Sequence, residues 1–399
     1  MENDKVIYLD NNATSRTAPE VAEGMRPFFT ELYGNPSSMH SFGGGVQKHL
    51  DSARQKTAAL IGASPEEIIF TSCGTESDST AVWSVLRATP EKKHLITTKV
   101  EHPAVLNVCK FLETQGYHVT YLPVDGAGRL NLEDLKLAVT PETALVSIMW
   151  ANNETGVVFP VEEAARIVHA KGALFHTDAV QAAGKIPINL KETKIDMLSL
   201  SGHKLHAPKG IGVLYLRKGA RFSPFMMGGH QERGRRAGTE NVPYIVGLGI
   251  AAELALKNLE AENTRVKALR DRLEEGLLKA IPNSRVNGGG ARLPNTVNLG
   301  FEYVEGESIL IMLSEKGICA SSGSACTSGS LEPSPVMLAM NVPQTYAHGS
   351  VRFSFSVYNT DSDVDIVLKE LPPIIARLRE ISPFADGKPL FGMEACDTH

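Results

Sequence analysis

The chain has little of what would place it on a nucleic acid, in a membrane or in an oxidising compartment. Among its 399 residues, 40 are Lys or Arg and 45 are Asp or Glu, a formal net charge of −5. Nothing here offers an excess of positive charge to a polyanion, so neither nucleic acid nor an anionic membrane surface is an expected partner. Residues 1–5 are polar and mixed in charge, without the basic and apolar regions of a signal peptide. No apolar run is read as reaching ~18 residues, so no transmembrane helix is expected. The five cysteines, Cys73, Cys109, Cys319, Cys326 and Cys396, are odd in number and scattered. They make no disulfide framework and point to a reducing, cytoplasmic setting in which one thiol can be reactive. No internal repeat is visible.

What is present is enough for a large core. The chain is 42% hydrophobic, and its length suggests two domains. Short β-rich runs at 68–71, 94–98, 118–122, 144–149, 173–176, 196–200 and 212–216 alternate with helical patterns such as 161–170. Such alternation predicts a mostly parallel seven-stranded sheet covered by helices, with ligands at the carboxyl ends of the strands. From Val242 a helical stretch runs to about Ala280, interrupted by charged residues 260–265; Val266, Leu269, Leu273 and Leu277 make one apolar face. Strand-like runs at 295–299 and 350–357 and helices at 306–315 and 362–378 follow. The expected division is a large domain over 15–259, a smaller α+β domain from 1–14 and 260–385, and a flexible tail over 386–399.

Several chemistry-bearing residues come just after expected strands, and so on one rim of the sheet. They are Ser201, Gly202, His203 and Lys204; Asp178 and Gln181; Gly74 and Thr75; and Asn153. A lysine, a carboxylate and a helix start are what pyridoxal phosphate requires: an amine to anchor it, an acid to keep its ring nitrogen protonated, and donors for its phosphate. Lys204 and Asp178 suit the first two tasks. Thr75 and the helix start near Gly74 suit the third, with Ser201 and His203 to complete the cradle.

The segment Ser201-Gly202-His203-Lys204, with Asp178-Ala179-Val180-Gln181 upstream, resembles the cofactor signature of class V aminotransferase-like, fold-type I pyridoxal-phosphate enzymes. Tyr8-Leu9-Asp10-Asn11-Asn12-Ala13-Thr14, the 34–38 and 71–77 segments, Asn152-Asn153-Glu154 and the 232–239 segment match as well. Ser321-Ser322-Gly323-Ser324-Ala325-Cys326-Thr327 narrows the resemblance to cysteine desulfurases of the NifS/IscS family, nearest the nitrogen-fixation branch. The likeness runs from Tyr8 to about Pro383.

That resemblance implies a large cofactor-binding domain and a smaller domain that carries the catalytic cysteine loop. It implies conversion of L-cysteine to L-alanine, with sulfur passed to Cys326 as a persulfide for iron–sulfur cluster assembly. It also implies the residue roles. Lys204 anchors the cofactor and moves protons, His102 stacks on the ring, and Asp178 pairs with the ring nitrogen. Gln181 and Asn153 face the ring oxygen and the substrate. Gly74, Thr75, Ser201 and His203 hold the phosphate, with Thr239 reaching in from the second subunit of a homodimer. Arg352 takes the substrate carboxylate, the natural partner of a guanidinium fork. A NifU-like scaffold or another thiol is the implied acceptor.

Cys326 sits among small residues, a poor place for a structural cysteine. Cys73, Cys109 and Cys319 lie beside apolar runs and read as inert core residues. Other readings stay open. A selenocysteine lyase or an aminotransferase would keep Lys204 and Asp178 without needing Cys326. Gly247-Leu248-Gly249-Ile250-Ala251-Ala252 mimics a dinucleotide fingerprint but lacks its strand–turn–helix setting, and fits close helix packing better. His203 and His206, like His176 and Asp178, lack a third metal ligand. One loop cysteine does not make a cluster site.

Overall fold

The structure is a computed structural model that describes residues 6–322 and 333–382. The described residues form twelve strands: β1 Ile7–Tyr8, β2 Ile68–Thr71, β3 His94–Thr98, β4 His118–Leu122, β5 Thr143–Ser147, β6 Leu174–Asp178, β7 Met197–Ser201, β8 Gly212–Leu216, β9 Ser284–Val286, β10 Thr296–Phe301, β11 Ile318–Cys319 and β12 Ser350–Ser354. Seven of them form one sheet in the order β2-β8-β7-β6-β5-β3-β4. β8 runs antiparallel to β2 and β7, and the remaining pairs are parallel. The seven β-rich runs of the sequence are these strands, shifted by no more than a residue or two. Positions in β2, β3, β5, β7 and β8 are all buried. Burial on both faces explains why these segments read as continuous apolar runs rather than as alternating ones.

The smaller layer holds the antiparallel sheet β12-β10-β9 and the parallel pair β1-β11. The apolar face Val266, Leu269, Leu273 and Leu277 packs in a core of its own with Val297, Leu299, Phe353 and Val364. Each such buried aliphatic side chain contributes about 1.5–3 kcal/mol. The helix Gly306–Glu315 falls where the spacing put it, and the last helix is longer than expected, Asp361–Ile381.

Two expectations about the long helix are corrected. The charged residues after Glu260 do not interrupt it: Val242–Ala261 continues through a π-helical turn, Glu262–Val266, into Lys267–Ala280. Glu262 is tolerated there because it is paired; Lys185 Nζ lies 3.0 Å from its Oε1, with side chains only 10% and 3% exposed. Secondly, Val242–Ala280 is long and apolar enough by composition to cross a membrane. Part of its apolar surface is buried within the protein, while Leu256 stays exposed. Ile245, Leu248, Ala251 and Ala252 are buried, and a Cβ on Gly249 would come within 2.5 Å of Ala53 Cα. The two glycines of the dinucleotide-like motif therefore serve helix packing.

Candidate functional site

The carboxyl ends of β2, β6 and β7 open into one cavity of about 210 Å³. Gly74, Thr75, His102, Asn153, Asp178, Gln181, Ser201, His203 and Lys204 all line it, with Ala13, Cys73, Asp78, Met149, Ala151 and Val180. The topology explains this convergence. Asp178 is the last residue of β6 and Ser201 the last of β7, and these strands are hydrogen-bonded neighbours. The short helix Gly202–Lys204 then turns the lysine back over the strand ends.

Each side chain is held by a local reason. Lys204 Nζ donates to the carbonyls of Asn12 and Ala13. Gln181 Nε2 donates to Asn12 O at 3.0 Å. His203 Nδ1 lies 3.1 Å from Thr14 Oγ1, and burial beside Lys204 pushes its pKa down to about 4. His102 caps the helix Pro103–Thr114, its Nδ1 accepting the Ala104 N–H at 3.1 Å. Burial lowers its pKa and Lys204 adds to that, while Asp178 opposes it. A neutral ring that accepts at Nδ1 carries its proton on Nε2. Asp178 accepts the Val180 N–H at 2.8 Å; burial raises its pKa, against the pull of His102 and Lys204.

These residues fit a phosphorylated aldehyde cofactor. Ser201 Oγ is buried and has no partner among the described residues. The helix Gly74–Ala88 begins beside it, and a Cβ on Gly74 would meet Val180 Cγ2 at 2.9 Å. The first amides of that helix and an unpartnered hydroxyl offer donors to an anion.

Two expected residues lie elsewhere, and a third lies outside the described residues. Thr239 is exposed and lines a separate cavity of about 180 Å³ with Ser72, Gly210 and Arg236, so a single chain does not bring it to Lys204. Arg352, on β12, is not in the lining: its Nη1 donates to Asn153 O at 2.8 Å and its Nη2 to Asp10 Oδ1 at 2.7 Å. Cys326 falls outside the described residues, as do Cys396 and the tail over 386–399. Cys73 and Cys319 are half-buried and Cys109 is buried. Cys73 is thus no core cysteine: it caps the helix Gly74–Ala88 and borders the cavity.

Sequence reasoning missed Asp78 and Glu101. Asp78 is buried in the lining, and its Oδ1 accepts no hydrogen bond among the described residues, lying 3.6 Å from His176 Nε2. Burial raises its pKa, and Asp178 adds to the shift. Glu101 accepts from Thr98 Oγ1 at 2.8 Å and from Met149 N at 3.0 Å, yet burial pushes it up to about 8. The signals were there: Asp78 is one helical turn after Thr75, and Glu101 is beside His102.

A doubly covered α/β sheet with lysine, carboxylate and imidazole at its strand ends is the setting of an aldehyde-cofactor enzyme. Comparisons with known proteins agree. Residues 7–367 match the aminotransferase class-V family. The chain is 61% identical over 383 residues to "Cysteine desulfurase NifS" of Azotobacter vinelandii, covering 96% of this chain and 95% of that one. It is 61% identical over 380 residues to the cysteine desulfurase of Trichormus azollae, covering 95% of each. Among solved structures, a "NifS-like protein" superposes with a TM-score of 0.88 at 41% identity, covering 94% of this chain and all of that one. The chain belongs to the aminotransferase class-V family and, within it, to the cysteine desulfurases. It is accordingly a pyridoxal-phosphate-dependent enzyme.

Proposed function

We propose that this chain moves sulfur from L-cysteine to its own Cys326, releasing L-alanine, and that the resulting persulfide supplies iron–sulfur cluster assembly for nitrogenase through a NifU-like scaffold. The observation that carries this reading is the single cavity in which Lys204, Asp178, His102, Ser201 and His203 meet. The reaction balances without another reactant. The carbon–sulfur bond of L-cysteine breaks, a sulfur–sulfur bond forms at Cys326, and a proton completes the methyl group of alanine.

When bound, pyridoxal phosphate draws electrons from the substrate's α-carbon. The chain's residues do the rest. Lys204 would anchor the cofactor, and its Nζ is the group placed to carry protons. Asp178 holds the ring-nitrogen proton, which its buried carboxyl does without competing water. Gly74, Thr75, Ser201 and His203 hold the phosphate, joined by the partner subunit's Thr239 in a homodimer. His102, neutral and protonated on Nε2, would border the cofactor ring and could relay a proton. Gln181 and Asn153 border the ring oxygen and the substrate, and Arg352 receives the substrate carboxylate. Persulfide chemistry suits a reducing cytoplasm, in keeping with five scattered cysteines. We place the domain division at the π-turn, next to residue 259, where the two apolar cores part.

The test is to supply L-cysteine to the purified holoprotein and measure alanine, pyruvate and sulfide. Alanine should match sulfur released, and Cys326→Ala should lower alanine release by about a hundredfold. Alanine release at the normal rate from Cys326→Ala removes Cys326 from the reading.

A further inference from the structure

Arg352 and Asp10 meet where three distant segments converge. Arg352 lies on β12, and its backbone bridges Ser321. Asp10 opens the turn whose next residues, Asn12 and Ala13, hold Lys204 Nζ. Asn153, which takes Arg352 Nη1 on its carbonyl, borders the cavity. The Arg352 side chain is 2% exposed and that of Asp10 19%.

The guanidinium is incompletely partnered. Nη2 donates to one oxygen of Asp10, whereas the adjacent Nε is buried and has no partner among the described residues. Nε and Nη2 together form the fork that fits both oxygens of a carboxylate. Asp10 engages that fork through one nitrogen and leaves the other open. A buried donor without an acceptor is unfavourable, so a carboxylate that satisfies both nitrogens outcompetes one that satisfies a single nitrogen.

We propose that Asp10 is a built-in counterion that occupies Arg352 in the absence of substrate and yields it to the α-carboxylate of the incoming amino acid. The inference rests on the reading of Arg352 as the substrate-carboxylate group. Asp10 is a positioning and specificity residue: it keeps a buried cation neutralised and sets the threshold an anionic ligand must exceed. A ligand with two carboxylate oxygens crosses that threshold, and a neutral amide does not.

The experiment measures binding to the holoprotein by calorimetry with two probes, L-alanine and L-alaninamide, which lacks the carboxylate. Asp10→Asn keeps an oxygen for Nη2 but removes the charge. It should tighten L-alanine by about tenfold, leave L-alaninamide unchanged, and lower KM for L-cysteine without raising kcat. Asp10→Ser, the second variant, should move L-alanine binding in the same direction. L-Alanine binding that weakens or stays the same in both variants overturns the proposal, because Asp10 then only orients Arg352. Arg352→Lys keeps the charge but loses the fork, and should lose the preference for L-alanine over its amide. If that preference survives, it is the reading of Arg352 that fails, and this result is distinct from a failure at Asp10.

Discussion

The strand ends and the 10–14 turn, which meet at the cavity, treat charge in opposite ways. On the sheet side, Asp78, Glu101 and Asp178 are carboxyl groups with fewer donors than oxygens can use, and burial raises all three. On the side of the 10–14 turn, Lys204 and Arg352 are cations already met by the carbonyls of Asn12, Ala13 and Asn153 and by the carboxylate of Asp10. The sheet side is fixed by strand ends, and its protons are its variable. On the turn side the partners are the variable, as where Asp10 holds one nitrogen of Arg352. A zwitterionic amino acid suits such a cavity, exchanging partners on one side while the other keeps its protons.

Substitutions can break this comparison. The largest effect is expected at Lys204, the one group both cationic and covalent in role: Lys204→Ala should lower alanine formation by about a thousandfold or more. Next comes Asp178→Asn, with a loss of about a hundredfold that Asp178→Glu partly restores. Asp78→Asn should cost less than about tenfold, because burial favours the protonated form of Asp78, which a neutral amide resembles. Equal losses at 78 and 178 would mean that the sheet side does not distinguish its carboxyls. On the turn side, Arg352→Lys should raise KM for L-cysteine by about tenfold or more while kcat changes little.

The last effect is on stability rather than rate, at Glu101. Its carboxyl ionises near the ordinary 4.5 in an unfolded chain but keeps its proton to about 8 when folded. Unfolding therefore releases a proton between those values. The stability is present in full below about pH 4.5, falls as pH rises, and levels off above about pH 8. Glu101→Gln lacks this loss. Thermal melts from about pH 5 to pH 9 should show the variant gaining on the parent by at most about 1.4 kcal/mol per pH unit up to about pH 8, then no further. A constant difference across the range would place the Glu101 pKa near its ordinary value.

Much of the large sheet was legible because a strand covered on both faces announces itself as an apolar run, as at Met197–Ser201. The pair β1-β11 was not: Ile7 pairs with Ile318, and two-residue strands so far apart leave no local pattern. The long helix was misread at residues 260–265 because charge suggests a break, whereas Glu262 is neutralised by Lys185 from another segment. At the site, the motifs named the residues that follow strands, and the sheet brings those together. Motifs do not tell which cation finds which partner. Asp10 lay inside a recognised segment, but its contact with Arg352 joins residues 342 apart in sequence. Thr239 shows the converse: its motif was readable, and one chain alone leaves it on the surface.

The central claim is that one lysine, above a buried aspartate, anchors the cofactor. Borohydride reduction of the purified holoprotein, followed by peptide mass mapping, tests it directly. The account predicts the reduced cofactor on the peptide that contains Lys204, and its loss from that peptide in Lys204→Ala. Cofactor fixed to any other lysine, or to none, would contradict it.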